Sequence, residues 1–113
     1  MPMSFDERPE FSKEFSRLAK KYRSLPDDLE EFKRVLVARP LGAGKHFAVI
    51  AKTETIAIVK ARLFCRYLKG AALRIVYAHH ETATRCEFIE IYFKGEKENE
   101  NRERIRDYLK MFA

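Results

Sequence analysis

Cysteine is scarce in this chain: only Cys65 and Cys86 occur, without CxxC spacing. That count argues against a redox pair or a cysteine metal site, and each residue falls in an apolar strand-like pattern, where a buried free thiol is the usual occupant. Long hydrophobic runs are missing too. No stretch approaches the roughly 20 apolar residues that cross a bilayer. The opening MPMSFDERPE has neither the basic start nor the apolar segment of an export signal. The expectation is a cytoplasmic protein with no membrane partner. No internal repeat or low-complexity linker occurs. A phosphate-cradling P-loop is absent as well. Leu41-Gly42-Ala43-Gly44-Lys45 contains Gly-Lys but not the GxxxxGK[ST] spacing, and it leads into strand-like sequence, so it reads as a connector or mobile rim.

The 113 residues that remain to be explained have the common size of one domain, so residues 1–113 are expected to form a single folding unit. Hydrophobic residues make up 46% and aromatic residues 12%, enough apolar surface for a core without metal or disulfides, while 35% charged residues solvate the exterior. The 23 Lys+Arg exceed the 17 Asp+Glu, giving a net charge of +6 and a sequence pI near 9.4. Such a balance favours phosphate-rich or acidic partners, provided the cations gather on one face.

Periodicity divides the chain into an α+β order. Residues 3–8 suit a short edge strand before Pro9. Phe11, Phe15, Leu18, Ala19 and Tyr22 then recur at helical spacing, with Pro9 at a first helical position. The outer face of this helix carries Lys13, Arg17, Lys20 and Lys21, as ordinary solvated charge or as part of an RNA-facing surface. Ser24-Leu25-Pro26 breaks it and starts a second helix, whose Asp27, Asp28, Glu30 and Glu31 favour the N-terminal dipole, and which ends near Arg39-Pro40. So short a turn predicts an antiparallel helical hairpin. From His46 the pattern alternates, predicting strands at 46–51, 56–67, 73–80 and 85–94 separated by Lys52-Thr53-Glu54, Lys69-Gly70-Ala71-Ala72 and Glu81-Thr82-Ala83-Thr84. Short connections imply an antiparallel sheet of four to five strands. A final helix over 97–111 presents Ile105, Tyr108, Leu109 and Phe112 on one side.

Alternation along the strands carries the functional reading. In 56–67 one face is Ala57, Val59, Ala61, Leu63, Cys65, and the other includes Lys60, Arg62, Phe64 and Arg66. In 73–80, Leu73, Ile75 and Tyr77 oppose Arg74, Val76, Ala78 and His80. In 85–94, Ile89, Ile91 and Phe93 are expected against the helices, leaving Phe88, Glu90, Tyr92 and Lys94 opposite. With unbroken registers one face gathers Lys60, Arg62, Arg66, Arg74, His80, Glu90, Tyr92 and Lys94 around Phe64, Val76 and Phe88. Arginine forks grip phosphate bidentately, rings stack on unstacked bases, and a titratable neighbour can take the proton of a ribose 2′-hydroxyl, all without metal or cofactor. Plainer readings stand beside this one. Arg74 and Glu90 can neutralise each other, Arg62 and Arg66 can be solvated edge charges, and Tyr92 and Phe88 can simply cover the sheet. His79 and His80 point to opposite faces, which argues against a shared metal.

The string from Lys60-Ala-Arg62-Leu-Phe-Cys-Arg66 to Lys69-Gly70, then Leu73-Arg74-Ile75-Val76-Tyr77-Ala78, then Glu87-Phe88-Ile89-Glu90-Ile91-Tyr92-Phe93-Lys94-Gly95, following a helical hairpin, resembles the RelE/ParE toxin superfamily of toxin–antitoxin pairs. In that family an arginine commonly opens an R-[ILV]-[IVL]-Y strand, as Arg74-Ile75-Val76-Tyr77 does here. The resemblance implies a cognate antitoxin whose flexible segment folds over the toxin. For the RelE branch it implies cleavage of mRNA on the ribosome, with the 2′-hydroxyl attacking the adjacent phosphate. Arg74 then maps onto the phosphate-binding arginine, with Arg62, Glu90, Tyr92 and Lys94 as its catalytic companions. Lys60, Arg66, Lys69 and His80 are the candidate RNA-binding residues. Glu90, His80 or Tyr92 would take the 2′-hydroxyl proton, and Lys94 would protonate the leaving oxygen. The ParE branch shares the fold and inhibits DNA gyrase instead. Two departures from the family pattern are the long Cys65–Leu73 stretch and the extra C-terminal helix.

Overall fold

Pro9 fixes where the first helix begins. Four residues form an edge strand, β1 (Ser4–Glu7), and Pro9 then takes the first position of α1 (Pro9–Lys21), where no intrahelical donor is needed. A tight turn at 22–24 leads to α2 (Leu25–Ala38). The computed structural model describes residues 3–42 and 44–113, with only the backbone at 71 and 72. Residues 1–2 of the opening segment and Ala43 of the predicted connector lie outside the described residues. Four longer strands follow: β2 (Phe47–Lys52), β3 (Ile56–Cys65), β4 (Gly70–His80) and β5 (Arg85–Phe93), and then α3 (Arg102–Lys110).

The sheet order is β1-β5-β4-β3-β2. The four long strands pair antiparallel, as their short connections require, while β1 runs parallel to β5. The predicted antiparallel sheet therefore gains one parallel edge. Phe11, Leu18, Leu25, Leu29, Phe32 and Leu36 of the hairpin bury against Val59, Ala61, Leu63, Leu73, Ile75, Tyr77, Phe88 and Ile91. At roughly 1.5–3 kcal/mol per fully buried large apolar side chain, this face dominates the stability. Both cysteines are buried free thiols, and burial pushes the Cys86 thiol up to about 12. Tyr77 is fully buried, and its hydroxyl donates to the Pro40 carbonyl at 2.7 Å, tying the end of the hairpin to the sheet.

A second, smaller core lies on the other face. Ile105 and Tyr108 of α3 cover Ile56, Ile58, Val76, Ala78 and Ile89. This corrects the expected register of β5. Val76 pairs with Glu90 and Tyr77 with Phe88, so Ile89 is an extra residue in a β-bulge. The bulge turns Phe88 to the hairpin, where it stacks on Phe11 at 5.3 Å, and turns Ile89 to α3. The expected strand 56–67 also ends early. A 3-10 turn, Arg66–Leu68, and left-handed Lys69 (φ 54) follow Cys65, so β4 starts at Gly70 rather than after a 69–72 turn.

Beyond β1 the edge of β5 is protected by charge rather than by a strand. Glu14 accepts from the Ile91 amide at 3.3 Å and holds Arg104 through two bonds of 3.0 and 2.9 Å, while Arg104 also donates to the Ile89 carbonyl at 3.0 Å. Among the described residues no helix is long and apolar enough to cross a membrane.

The bulge makes opposite predictions for two phenylalanines. Phe88→Ala should cost about 3–5 kcal/mol of unfolding free energy in urea. Phe64→Ala, at a side chain 57% exposed, should stay within about 0.5 kcal/mol. Equal effects would contradict the register.

Candidate active site

Hydrophobic packing on one face of β3 and β4 decides what the other face presents. Leu63 pairs with Leu73 and Ala61 with Ile75, so the intervening Arg62 and Arg74 are direct cross-strand partners. Direct cross-strand partners on one face are close enough to act on a common group. Lys60 stands two residues along β3 on the same face. Around this pair lies a cleft of about 300 Å³ lined by Lys45, His46, Phe47, Ala48, Lys60, Ala61, Arg62, Arg74 and Lys94. Five of these side chains are basic, and none of them is acidic. Among the described residues Arg62 has no carboxylate partner. Arg74 donates to the Leu73 carbonyl at 3.2 Å. Phe64 is exposed on the same side of β3, next beyond Arg62.

The segment from Lys94 to Asn101 forms one wall and is fastened by two buried carboxylates. Glu90, fully buried, is paired with Lys97 and accepts from the Asn101 amide at 2.9 Å. Glu100 holds Lys60 at 2.8 Å and Arg102 at 2.9 Å. Burial works to raise the Glu100 carboxyl, but the Lys60 hydrogen bond and the neighbouring positive charges outweigh it and hold its pKa below the ordinary value. Lys94 donates to the Glu98 carbonyl at 2.5 Å, keeping its amine at the cleft. The Tyr92 ring lies beneath this segment, with Lys97 5.4 Å from its centroid. The Tyr92 hydroxyl is buried without a hydrogen-bond partner among the described residues, and burial pushes its pKa up to about 12.

The nine residues singled out from the sequence therefore divide. Lys60, Arg62, Arg74 and Lys94 meet in the cleft. Glu90 and Tyr92 are on the same sheet face but beneath the 94–101 segment, so neither side chain lines the cleft. Arg66 leaves the expected row because its backbone enters the 3-10 turn. Its guanidinium pairs instead with Asp28 at 3.2 Å and Glu31 at 3.0 Å of α2. Lys69 is exposed at the left-handed end of that turn. His80 is at the far end of β4 under α3. The Tyr108 hydroxyl gives its proton to Glu87 at 2.7 Å, so the His80 Nε2 is the donor in its 2.6 Å bond to Tyr108.

Two lining residues, Lys45 and His46, were not singled out from the sequence. Their signal is hairpin arithmetic: His46 accepts the Arg62 amide at 3.0 Å through its carbonyl. Counting back from the 53–55 turn misplaces it by one residue, because a bulge between Val49 and Ala51 shifts the register.

No protein-family model and no curated protein sequence matches this chain. Its architecture does match solved structures. One is the archaeal RelE–RelB complex from Pyrococcus horikoshii OT3, similar over 84% of this chain and 98% of that chain at 17% identity and a TM-score of 0.64. Another is a double arginine-to-alanine mutant of the E. coli toxin RelE in the free state, similar over the whole of both chains at 14% identity and a TM-score of 0.61. The chain thus has the RelE fold. Identities this low carry the fold and not the activity.

Removing the Glu90 carboxylate should release the wall. Glu90→Ala leaves the Lys97 ammonium and the Asn101 amide unpaired, and a loss of about 2–3 kcal/mol is expected in urea denaturation, with faster amide exchange across α3. A pH dependence follows from the network around His80. Burial lowers the pKa of His79 and His80 from 6.5. For Glu87 burial acts to raise the pKa, but the Tyr108 and Arg85 bonds bring it below 4.5. Depressed values mean that the unfolded chain binds protons first on acidification. Stability should therefore be complete near neutrality, fall below about pH 6.5 as the histidines of the unfolded chain protonate, and fall again below about pH 4.5 through Glu87 and Glu100. A denaturation midpoint that stays flat from about pH 7 to about pH 5 would contradict the histidine part.

Proposed function

We propose that this chain is the toxin of a toxin–antitoxin pair and that it cuts mRNA on the ribosome by metal-independent attack of a ribose 2′-hydroxyl. The observation that carries this reading is the direct opposition of Arg62 and Arg74 in a cleft with three lysines and no acidic side chain. An RNA phosphate has the charge and the bidentate geometry that guanidinium forks accept, and side chains opposed on adjacent strands can reach one such group together. As the 2′-oxygen attacks, negative charge grows on the non-bridging oxygens. Arg62, Arg74 and Lys60 are placed to stabilise it, and Lys94 to give a proton to the departing 5′-oxygen. The exposed Phe64 ring beside them offers a stacking surface for an unpaired base.

The likeness to a RelE chain solved with RelB supports an antitoxin partner for this chain. A gyrase-binding toxin of the same fold would have no need for a phosphate cleft. The two readings separate cleanly in cells. On induction without antitoxin, wild type should arrest growth and leave transcripts cut at codon-phased positions with DNA supercoiling unchanged. Arg62→Ala and Arg74→Ala should each lower cleavage by about 10²-fold or more, the scale of losing one preorganised charge stabiliser. Intact transcripts with relaxed or broken DNA would reverse the assignment.

A further inference from the structure

General-base chemistry in the cleft needs a side chain that is deprotonated for part of the time near neutral pH and that reaches open space. Glu90 is fully buried and already holds Lys97 and the Asn101 amide. Tyr92 is buried under the same segment, and its raised pKa leaves the phenol protonated. His80 lies beneath α3 with its Nε2 hydrogen committed to Tyr108. The basic lining residues Lys45, Lys60, Arg62, Arg74 and Lys94 supply charge, and Lys60 and Lys94 have partners in Glu100 and the Glu98 carbonyl. Among the described residues lining the cleft, one titratable residue is left. His46 is exposed, lines the cleft, and sits directly before β2.

Its position is not that of a loose loop residue. The Arg62 amide donates to the His46 carbonyl at 3.0 Å, extending the β2–β3 ladder by one residue. Ala48 pairs with Lys60, and alternation puts residue 46 on the same face of β2 as residue 48. Phe47, between them, points the other way and stacks on Phe32 at 5.8 Å. Residue 46 therefore continues the cationic face of the β2–β3 ladder, beside an aromatic anchor on the opposite face. Histidine is also the side-chain type that exchanges protons near neutrality.

We propose that His46 is the general base, taking the proton of the ribose 2′-hydroxyl whose neighbouring phosphate is held by Arg62 and Arg74. This inference rests on the ribonuclease reading above. The imidazole nitrogen accepts the proton and the 2′-oxygen forms a bond to phosphorus. The bond from phosphorus to the 5′-oxygen breaks, and that oxygen takes a proton from the Lys94 ammonium. The products are a 2′,3′-cyclic phosphate and a 5′-hydroxyl, and both side chains return to their starting states by exchange with water.

The test uses purified full-length protein with ribosomes programmed with a defined mRNA, under single-turnover conditions. His46→Gln should slow cleavage by about 10²–10⁴-fold, the usual worth of a positioned general base. It should bind a non-cleavable RNA carrying a 2′-methoxy group as wild type does. Wild-type cleavage should decline on acidification as imidazole protonates, and the variant should lack that limb of the profile. Added imidazole should partly restore cleavage by His46→Ala. A His46→Gln enzyme that cuts at the wild-type rate, or a profile with the same acid limb in both proteins, would overturn the role of His46 while leaving the ribonuclease reading intact. Absence of cleavage by wild type itself would overturn both.

Discussion

The β3–β4 register is the constraint on which the remainder of this molecule depends. Leu63 opposite Leu73 and Ala61 opposite Ile75 are locked by the helical hairpin. That lock brings Arg62 and Arg74 together on the reverse side as cross-strand partners. Apolar burial on one face thus supplies the free energy that fixes the placement of the cations on the other. A one-residue slip of either strand would turn its arginine into the core, so the hydrophobic pattern and the cationic cleft are specified by the same alternation.

The reverse face is itself divided in two. Over Ile56, Ile58, Val76 and Ala78 it is apolar and sealed by α3, and over Lys60, Arg62 and Arg74 it is open. The boundary is the 94–101 segment, pinned by Glu90 and Glu100. These carboxylates hold the wall in place without lining the cleft, which keeps the cleft's own surface free of acid. The C-terminal helix therefore frames the cleft rather than covering it. Its attachment through Arg104 to Glu14 also protects the edge of β5 where β1 has ended.

Much of this was legible in the residues. Helical spacing from Phe11 and from Leu29, the short turns, and the alternation through Val59, Ala61 and Leu63 predict the hairpin, the sheet and the hairpin-side core. Arg62, Arg74, Lys60 and Lys94 follow from alternation alone. What alternation cannot show is a change of phase. The extra residue Ile89 exchanges the faces of Phe88 and Ile89, and the bulge between Val49 and Ala51 hides that His46 lies beside Arg62. The turn at 66–68 takes Arg66 out of its row, because Asp28 and the Ser24 hydroxyl accept the Arg66 and Tyr67 amides and close the chain onto α2. Each departure is a local backbone event whose cause lies in tertiary contacts, and a residue count along one strand does not contain it.

The claim at the centre of this account is that Arg62 and Arg74 jointly grip one RNA phosphate. Arginine side-chain NMR reads it directly: the Nε–H signals of both residues are followed while a short 2′-methoxy RNA is titrated into the labelled protein. The account predicts that the two signals shift together with a single affinity, ahead of those of Arg66 and Arg104, which are held by Asp28 and Glu14. Shifts confined to other arginines, or none at saturating RNA, would contradict it.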